Sequence, residues 1–388
     1  MKQNLLFVMD GMKIGGVEVA LLSVLHRLDY EKYNVDLLLL HDDLELLEQV
    51  PLRVQVLHYA QMPQGNPTPA IAGMYLIYRL CRSLPGLKVF APRLSRRVGD
   101  MLQGAKVRKN IRKHYDAVIG YKQGEAEAFA ARYFNCRNKI VFYHHGLLID
   151  EELHQECYAK VDKIAAVSQG VADMLKQRYP MYAHKITVIA NHIDADAVLQ
   201  KAKTYPVEKP AALCLATVGR FVKEKRYDLA VAAAKYMKDQ GKSDFVWWLI
   251  GDGAELETIR QQIADAGLND TVLLMGSMEN PMPYIAAADV YIQPSDGESF
   301  GLAMQEALIL DTKVVTSKTI GGMLLVQDGY NGFYVNQTAE DIAAGIQKAL
   351  QLPAVDASEY HEHCRQIDWE TDGAWESLLG NEKPNIAL

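Results

Sequence analysis

Paired cysteines, long apolar runs and an excess of positive charge are all missing from this 388-residue chain, and each absence removes a class of protein. The five cysteines, Cys81, Cys136, Cys157, Cys214 and Cys364, stand far apart, with no C-x-x-C pair and no histidine at metal-ligand spacing. They read as reduced thiols, mostly core packing, in a cytoplasmic protein with no metal. The first apolar run, "LLFVM", is cut by Asp10 after five residues, too short for the apolar centre of a signal peptide. No run approaches the roughly 18 to 20 apolar residues that a membrane span requires. The expectation is a soluble protein, at most peripheral at the inner face of a cell membrane. A formal net charge of -7 argues against general nucleic-acid binding, which needs a basic footprint for the phosphate backbone. No repeat of solenoid length and no low-complexity tract is visible either.

What is present is alternation. With 388 residues, 49% of them hydrophobic, the chain is too long for one ordinary domain. Short β-rich runs, "LLFVM" (5–9), "VDLLLL" (35–40), "VQVLHY" (54–59), "DAVIGY" (116–121), "KIVFYHH" (139–145), "KIAAVS" (163–168) and "ITVIAN" (186–191), make a first series broken by helical patterns. After a Lys/Pro-containing linker at 201–212 a second series begins, from "LCLATVG" (213–219) to "GFYV" (332–335). This is the signature of parallel sheets covered by helices. The fold class is therefore α/β, with two doubly wound Rossmann-like domains at 1–195 and 205–354 facing a central cleft, since ligands sit at strand carboxyl ends. The segment 355–388, with Trp369 and Trp375 on a helical pattern, fits neither sheet and is expected to pack back across the junction to the first domain.

The densest chemistry lies in "PSDGESFGLAMQEAL" (294–308), between a strand and a helix. Gly297 and Gly301 flank Glu298, Ser299 and Phe300, and a helix start with bare N–H groups seats an anion such as a diphosphate. Carboxylates beside a diphosphate make sense when they point at neutral hydroxyls, from which they accept strong hydrogen bonds. Glu298 before the helix and Glu306 inside it suit the two ends of a nucleotide sugar. An acidic helix start plus an ordinary surface glutamate is the plain alternative. On the same sheet edge, "TVGRFVKEKRYDLAV" sets Arg220 just after a strand and Lys225 five residues on, a pair able to neutralise a diphosphate. "DGMKIGGVEVALL" puts Gly15 and Gly16 between the first strand and first helix, without the third glycine of a dinucleotide fingerprint. "VFYHHGLLID" ends a strand with His144 and His145, next to Gly146. "DAD" (194–196) matches a metal pattern too short to assign a metal.

Together these pieces resemble the retaining glycosyltransferases of family 4, with the two-domain GT-B fold. The resemblance rests on "GGVE", "HHG", "AVSQGVAD", "VIANHID", "VGRFVKEKRYD", "IGDGAELE", "ESFGLAMQE" and "GYNGFYV", and covers most of the chain. It implies that Glu298 contacts the transferred sugar, Glu306 the ribose, and Arg220 and Lys225 the diphosphate. Main chain of Ser299, Phe300, Gly301, Leu302 and Gly16 would assist, His145 would touch the donor sugar, and Met278 would lie at the base. The implied reaction keeps the anomeric configuration and needs no metal or cofactor, the nucleoside diphosphate sugar being a co-substrate. Two departures stand out: "GGMLLVQDG" has Leu324 and Leu325 where the family has a glutamate, and "NHID" replaces N-G-x-D.

Between Arg79 and Lys113 stand eleven Lys or Arg against one acid, Asp100. Mixed with apolar side chains over 71–113, this charge suits a helix on an anionic bilayer, or a site for an anionic acceptor. The expectation is a hexosyltransferase acting on a glycan or lipid-linked saccharide in surface polysaccharide or capsule assembly, with a UDP-sugar donor. Its rivals are a UDP-hexosamine 2-epimerase of the same architecture and a non-catalytic nucleotide-sugar-binding protein.

Overall fold

A computed structural model describes residues 2–65, 68–83, 91–353 and 373–380. The chain runs β1 (Gln3–Met9), α1 (Gly16–Arg27), β2 (Tyr33–Leu39), β3 (Gln55–His58), α2 (Pro69–Ser83), α3 (Ala91–Asn110) and β4 (Ala117–Gly120). It continues through α4 (Glu125–Tyr133), β5 (Asn138–Tyr143), α5 (Glu151–Tyr158), β6 (Lys163–Ala166), α6 (Gln169–Arg178), β7 (Ile186–Val188) and α7 (Ala195–Lys201). The second series is β8 (Leu213–Val218), α8 (Tyr227–Asp239), β9 (Phe245–Ile250), α9 (Leu256–Asp265), β10 (Val272–Gly276), α10 (Met282–Ala287) and β11 (Val290–Gln293). It closes with α11 (Leu302–Ile309), β12 (Lys313–Ser317), α12 (Ile320–Leu325), β13 (Gly332–Val335) and α13 (Ala339–Leu350).

Every run read as a strand is one, with ends that differ by up to three residues: β1 and β2 begin two residues earlier than the apolar runs, and β7 stops three residues short where the pattern overshot into a loop. They form a seven-stranded sheet, order β3-β2-β1-β4-β5-β6-β7, and a six-stranded sheet, order β10-β9-β8-β11-β12-β13. The pairs β1–β2, β1–β4, β2–β3 and β4–β5, and those of the six-stranded sheet, are parallel. Helices cover both faces, so central strands are apolar throughout rather than alternating. β9 makes this plain: Phe245, Trp247 and Leu249 enter one core and Val246, Trp248 and Ile250 the other. Ile193, Ala195 and Val198, around the start of α7, pack into that second core with Cys214 and Ala216.

By residue contacts the chain groups into two compact units: 1–13, 28–142 and 150–164 in one, and 14–27, 143–149 and 165–388 in the other. The Gly15–Gly16 turn, α1 and the His144–His145 segment thus belong to the same unit as the six-stranded sheet. Of the carboxyl-terminal segment, residues 373–378 are helical with Trp375 and Leu378 buried. Residues 354–372 and 381–388, with Trp369 and Cys364, lie outside the described residues, as does Lys88 of the basic run.

The basic run itself is less free than its composition implied. Lys106 is buried with its ammonium 4.1 Å from the Tyr59 ring centre, and Lys113 pairs with Asp36 at 2.8 Å. On α2, however, Tyr75, Leu76, Ile77 and Leu80 are exposed. Among the described residues no helix is long and apolar enough to cross a membrane.

Candidate active site

The six-stranded sheet reverses its strand order between β8 and β11, and at such a switch point the loops at the carboxyl ends diverge and leave a crevice. Arg220 and Lys225 follow β8; Pro294 to Gly301 follow β11. The Lys225 ammonium reaches the Glu298 carboxylate here, and Arg220 stands in the same loop after β8.

Glu298 is held closely. Its Oε1 accepts from Gln293 Nε2 and Ser295 Oγ, each at 2.9 Å, and from the Lys225 ammonium. Only 11% of its side chain is exposed. The loop carrying it is tied at several points: Gly321 N–H donates to Glu298 O (2.7 Å), Ser168 Oγ donates to Ser299 O (2.9 Å), and Ser299 Oγ donates to His144 O. A side chain at Gly146 would put its Cβ 2.6 Å from the Glu298 carbonyl carbon, so the main chains meet there only because residue 146 is glycine.

Behind the loop starts α11, whose N-cap residue Gly301 has φ 82° and offers no side-chain acceptor. The first N–H groups of the helix are therefore uncapped, which makes its start an anion seat. Gly16 lies beside it, its would-be Cβ 3.8 Å from Leu302 Cδ1. Gly15 adjoins Glu18, and Phe300 is buried under the loop.

Glu306 lies just over one turn into α11, partly buried. Burial pushes its carboxyl up to about 7, with the Lys201 charge opposing. Such a group gains from hydroxyl partners that stabilise its charged form.

His145 accepts a hydrogen bond at Nδ1 from Leu147 N–H (3.2 Å), which leaves Nε2 as the protonated nitrogen. That Nε2 is 3.9 Å from Glu224 Oε2, on the same turn as Lys225. Met278, following β10, packs against the apolar cluster of the β8–β9 face. Arg220 is exposed.

Sequence reasoning missed three supports. Gln293 and Ser295 carry the Glu298 carboxylate, and the only signal was a glutamine in an otherwise apolar strand. The "GDG" turn is a brace for the Arg220 loop: Phe221 N–H donates to Asp252 O (2.9 Å) and Glu255 N–H to Phe221 O (2.8 Å). A Cβ on Gly251 would lie 1.9 Å from Gly219 O, so this contact too requires glycine. Among the described residues no three His, Cys, Asp or Glu come together as a metal group.

Two doubly wound parallel sheets, one with this carboxylate loop at its switch point, make up the GT-B fold. The crystal structure of Anabaena HepE in complex with UDP and glucose has this fold, with a TM-score of 0.69 at 20% identity over 96% of this chain and 98% of that one. Two family models match in succession, Glycosyltransferase Family 4 over residues 14–197 and Glycosyl transferases group 1 over 203–367, and the chain belongs to this family. It is 26% identical over 197 residues to LpsE, a lipopolysaccharide core biosynthesis glycosyltransferase of Rhizobium meliloti, matching 50% of this chain and 55% of that protein. The chain thus spans about half the length of LpsE. It is 25% identical to the N-acetylgalactosamine-N,N'-diacetylbacillosaminyl-diphospho-undecaprenol 4-alpha-N-acetylgalactosaminyltransferase of Campylobacter jejuni, with 87% of each covered.

Proposed function

We propose that this glycosyltransferase moves a hexosyl group from a UDP-sugar to a glycan or lipid-linked saccharide, with retention of configuration and without a metal. The observation that carries the reading is Glu298, a carboxylate fixed by three donors, Lys225 among them, at the switch point and just ahead of the uncapped start of α11. The helix start, Arg220 and Lys225 take the diphosphate and the negative charge that grows on it as it leaves. Glu298 accepts from hydroxyls of the transferred sugar. Glu306 accepts from the ribose, where two hydroxyls in place of water stabilise its ionised form. His145, through Nε2–H, donates to the donor sugar, and Met278 lines the base.

In the step itself the acceptor oxygen bonds the anomeric carbon on the face from which the diphosphate departs. The acceptor's proton passes to the leaving phosphate oxygen, giving nucleoside diphosphate and a glycoside of unchanged configuration. Uridine as the base is favoured by the UDP complex of HepE, and a saccharide acceptor by the names of LpsE and the Campylobacter enzyme. The setting we favour is surface polysaccharide or capsule assembly in the cytoplasm, peripheral at the membrane. The exposed Leu76, Ile77 and Leu80 with Arg79 and Arg82 on α2 support that last point.

Thermal stability against a panel of UDP-, GDP- and ADP-sugars, with nucleoside diphosphate release followed in the same samples, tests the reading. A ligand that binds the folded state raises the melting midpoint by mass action. The expected result is a selective rise with one UDP-sugar and slow UDP release; no rise with any of them would overturn the assignment.

A further inference from the structure

We propose that Gln293 and Ser295 are positioning residues for Glu298, holding its Oε1 in place so that the carboxylate keeps its aim when Lys225 turns to a diphosphate. The inference rests on the reading of Glu298 given above and deepens it.

β11 is buried on both faces, with Val290, Tyr291 and Ile292 fully enclosed, and Gln293 ends the strand at 3% exposure. Burying an amide costs free energy unless its groups find partners. Here the partners form one ordered chain. Val218 N–H donates to the Tyr291 hydroxyl (3.3 Å), whose one hydrogen has Gln293 Oε1 (2.6 Å) as its nearer acceptor and Val218 O (3.1 Å) as the farther. Gln293 Nε2 has two hydrogens, one for Ser295 Oγ (2.7 Å) and one for Glu298 Oε1 (2.9 Å). Ser295 Oγ, itself fully buried, passes its own hydrogen to the same Oε1 (2.9 Å). Because Glu298 only accepts, the amide has one orientation consistent with all these bonds, nitrogen toward Glu298.

Oε1 has a third donor of another kind. Lys225 is a long, flexible, partly exposed side chain on a turn, and the proposed reaction asks it to serve the diphosphate. If it alone held Glu298, donor binding would release the carboxylate at the moment of its use. Gln293 and Ser295 come from a packed strand and its end and do not travel. The arrangement separates a movable cation from a fixed carboxylate, and leaves Oε2 for the sugar.

The test uses the full chain with UDP-glucose and UDP-N-acetylglucosamine, following UDP release as a water oxygen bonds the anomeric carbon and the bond to the diphosphate breaks. Gln293→Glu keeps the side-chain shape and the acceptor for Tyr291, but turns an oxygen instead of an N–H toward Glu298. We expect kcat to fall by about 10- to 100-fold, the scale of a small misplacement of a reacting group. The Kd for UDP should stay within about threefold, because the diphosphate partners are untouched, while the facing carboxyls lower the melting midpoint at neutral pH and restore it as one of them takes up a proton. Two carboxyls at that separation share a proton, so turnover of Gln293→Glu should recover as the pH falls toward about 5, unlike that of the wild type. Gln293→Met, with no donor and no proton to share, should lose activity at every pH.

Wild-type turnover in Gln293→Glu would overturn the anchoring. So would a loss of kcat, UDP affinity and melting midpoint together, which would mark a merely structural residue. Wild-type turnover in Glu298→Gln would instead overturn the reading of Glu298 itself, and this inference with it.

Discussion

Glu306→Gln is a perturbation whose sign follows from the position of one carboxyl. Burial raises the folded-state value of Glu306 from 4.5 to about 7, against the pull of Lys201. Between these values the folded chain holds a proton that the unfolded chain releases. The corresponding stability is fully present below about pH 4.5 and is lost as pH rises to about 7. At about 1.4 kcal/mol per pH unit, the gap from 4.5 to about 7 sets an upper limit near 3.5 kcal/mol, and contact with water reduces it to about 1–2 kcal/mol. In a chain of this size that corresponds to a melting shift on the order of 2 °C. Glu306→Gln should therefore melt about 2 °C above the wild type near pH 8 and no higher than it near pH 5. Donor binding adds a second readout. If ribose hydroxyls donate to the Glu306 carboxylate, UDP binding near pH 6.5 should release a proton, about half to one per site, measurable by titration calorimetry in buffers of different ionisation heat. A melting difference that ignores pH, or proton uptake on binding, would refute the reasoning.

Lys225→Ala should weaken UDP binding by about tenfold or more in a fluorescence or calorimetric titration, because it removes a charge-assisted partner of the diphosphate. Gly146→Ala puts a methyl 2.6 Å from the Glu298 carbonyl carbon, so the loop must shift. We expect a cost of about 1–3 kcal/mol in stability and a marked loss of turnover, read by melting and UDP release. Reversing Arg79 and Arg82 to Glu should reduce flotation with anionic vesicles by about fivefold per charge removed, with added salt erasing the difference. Equal binding of this variant and the wild type would remove the membrane assignment.

How much of this was legible beforehand follows physical lines. All the strands were readable because in doubly covered parallel sheets burial writes itself as short unbroken apolar runs. The placement of Arg220 and Lys225 after β8, and of Glu298 and Glu306 after β11, was readable because each stands at a fixed distance from a strand end. Gln293 and Ser295 were not, since a polar residue at a strand end has the same letters whether it faces water or a carboxylate. The role of "GDG" stayed hidden because close main-chain contacts leave a glycine but no hint of what approaches it. Composition could not divide the basic run: Lys106 is buried against Tyr59 and Lys113 pairs with Asp36, while Arg79 and Arg82 stay exposed. The burial of Glu306 was invisible because it depends on packing around α11.

The loop of Glu298 has its anchors 131 and 155 residues away, at Ser168 and His144. Contacts of such separation are slow to form from a free chain, since a long loop must close before they are rewarded. Synthesis relieves part of that delay. At about 5–20 residues per second, His144 and Ser168 leave the ribosome many seconds before residue 299 follows. Glu298 is thus among the later parts of the chain to reach its native place, after the segments that anchor its loop have been made.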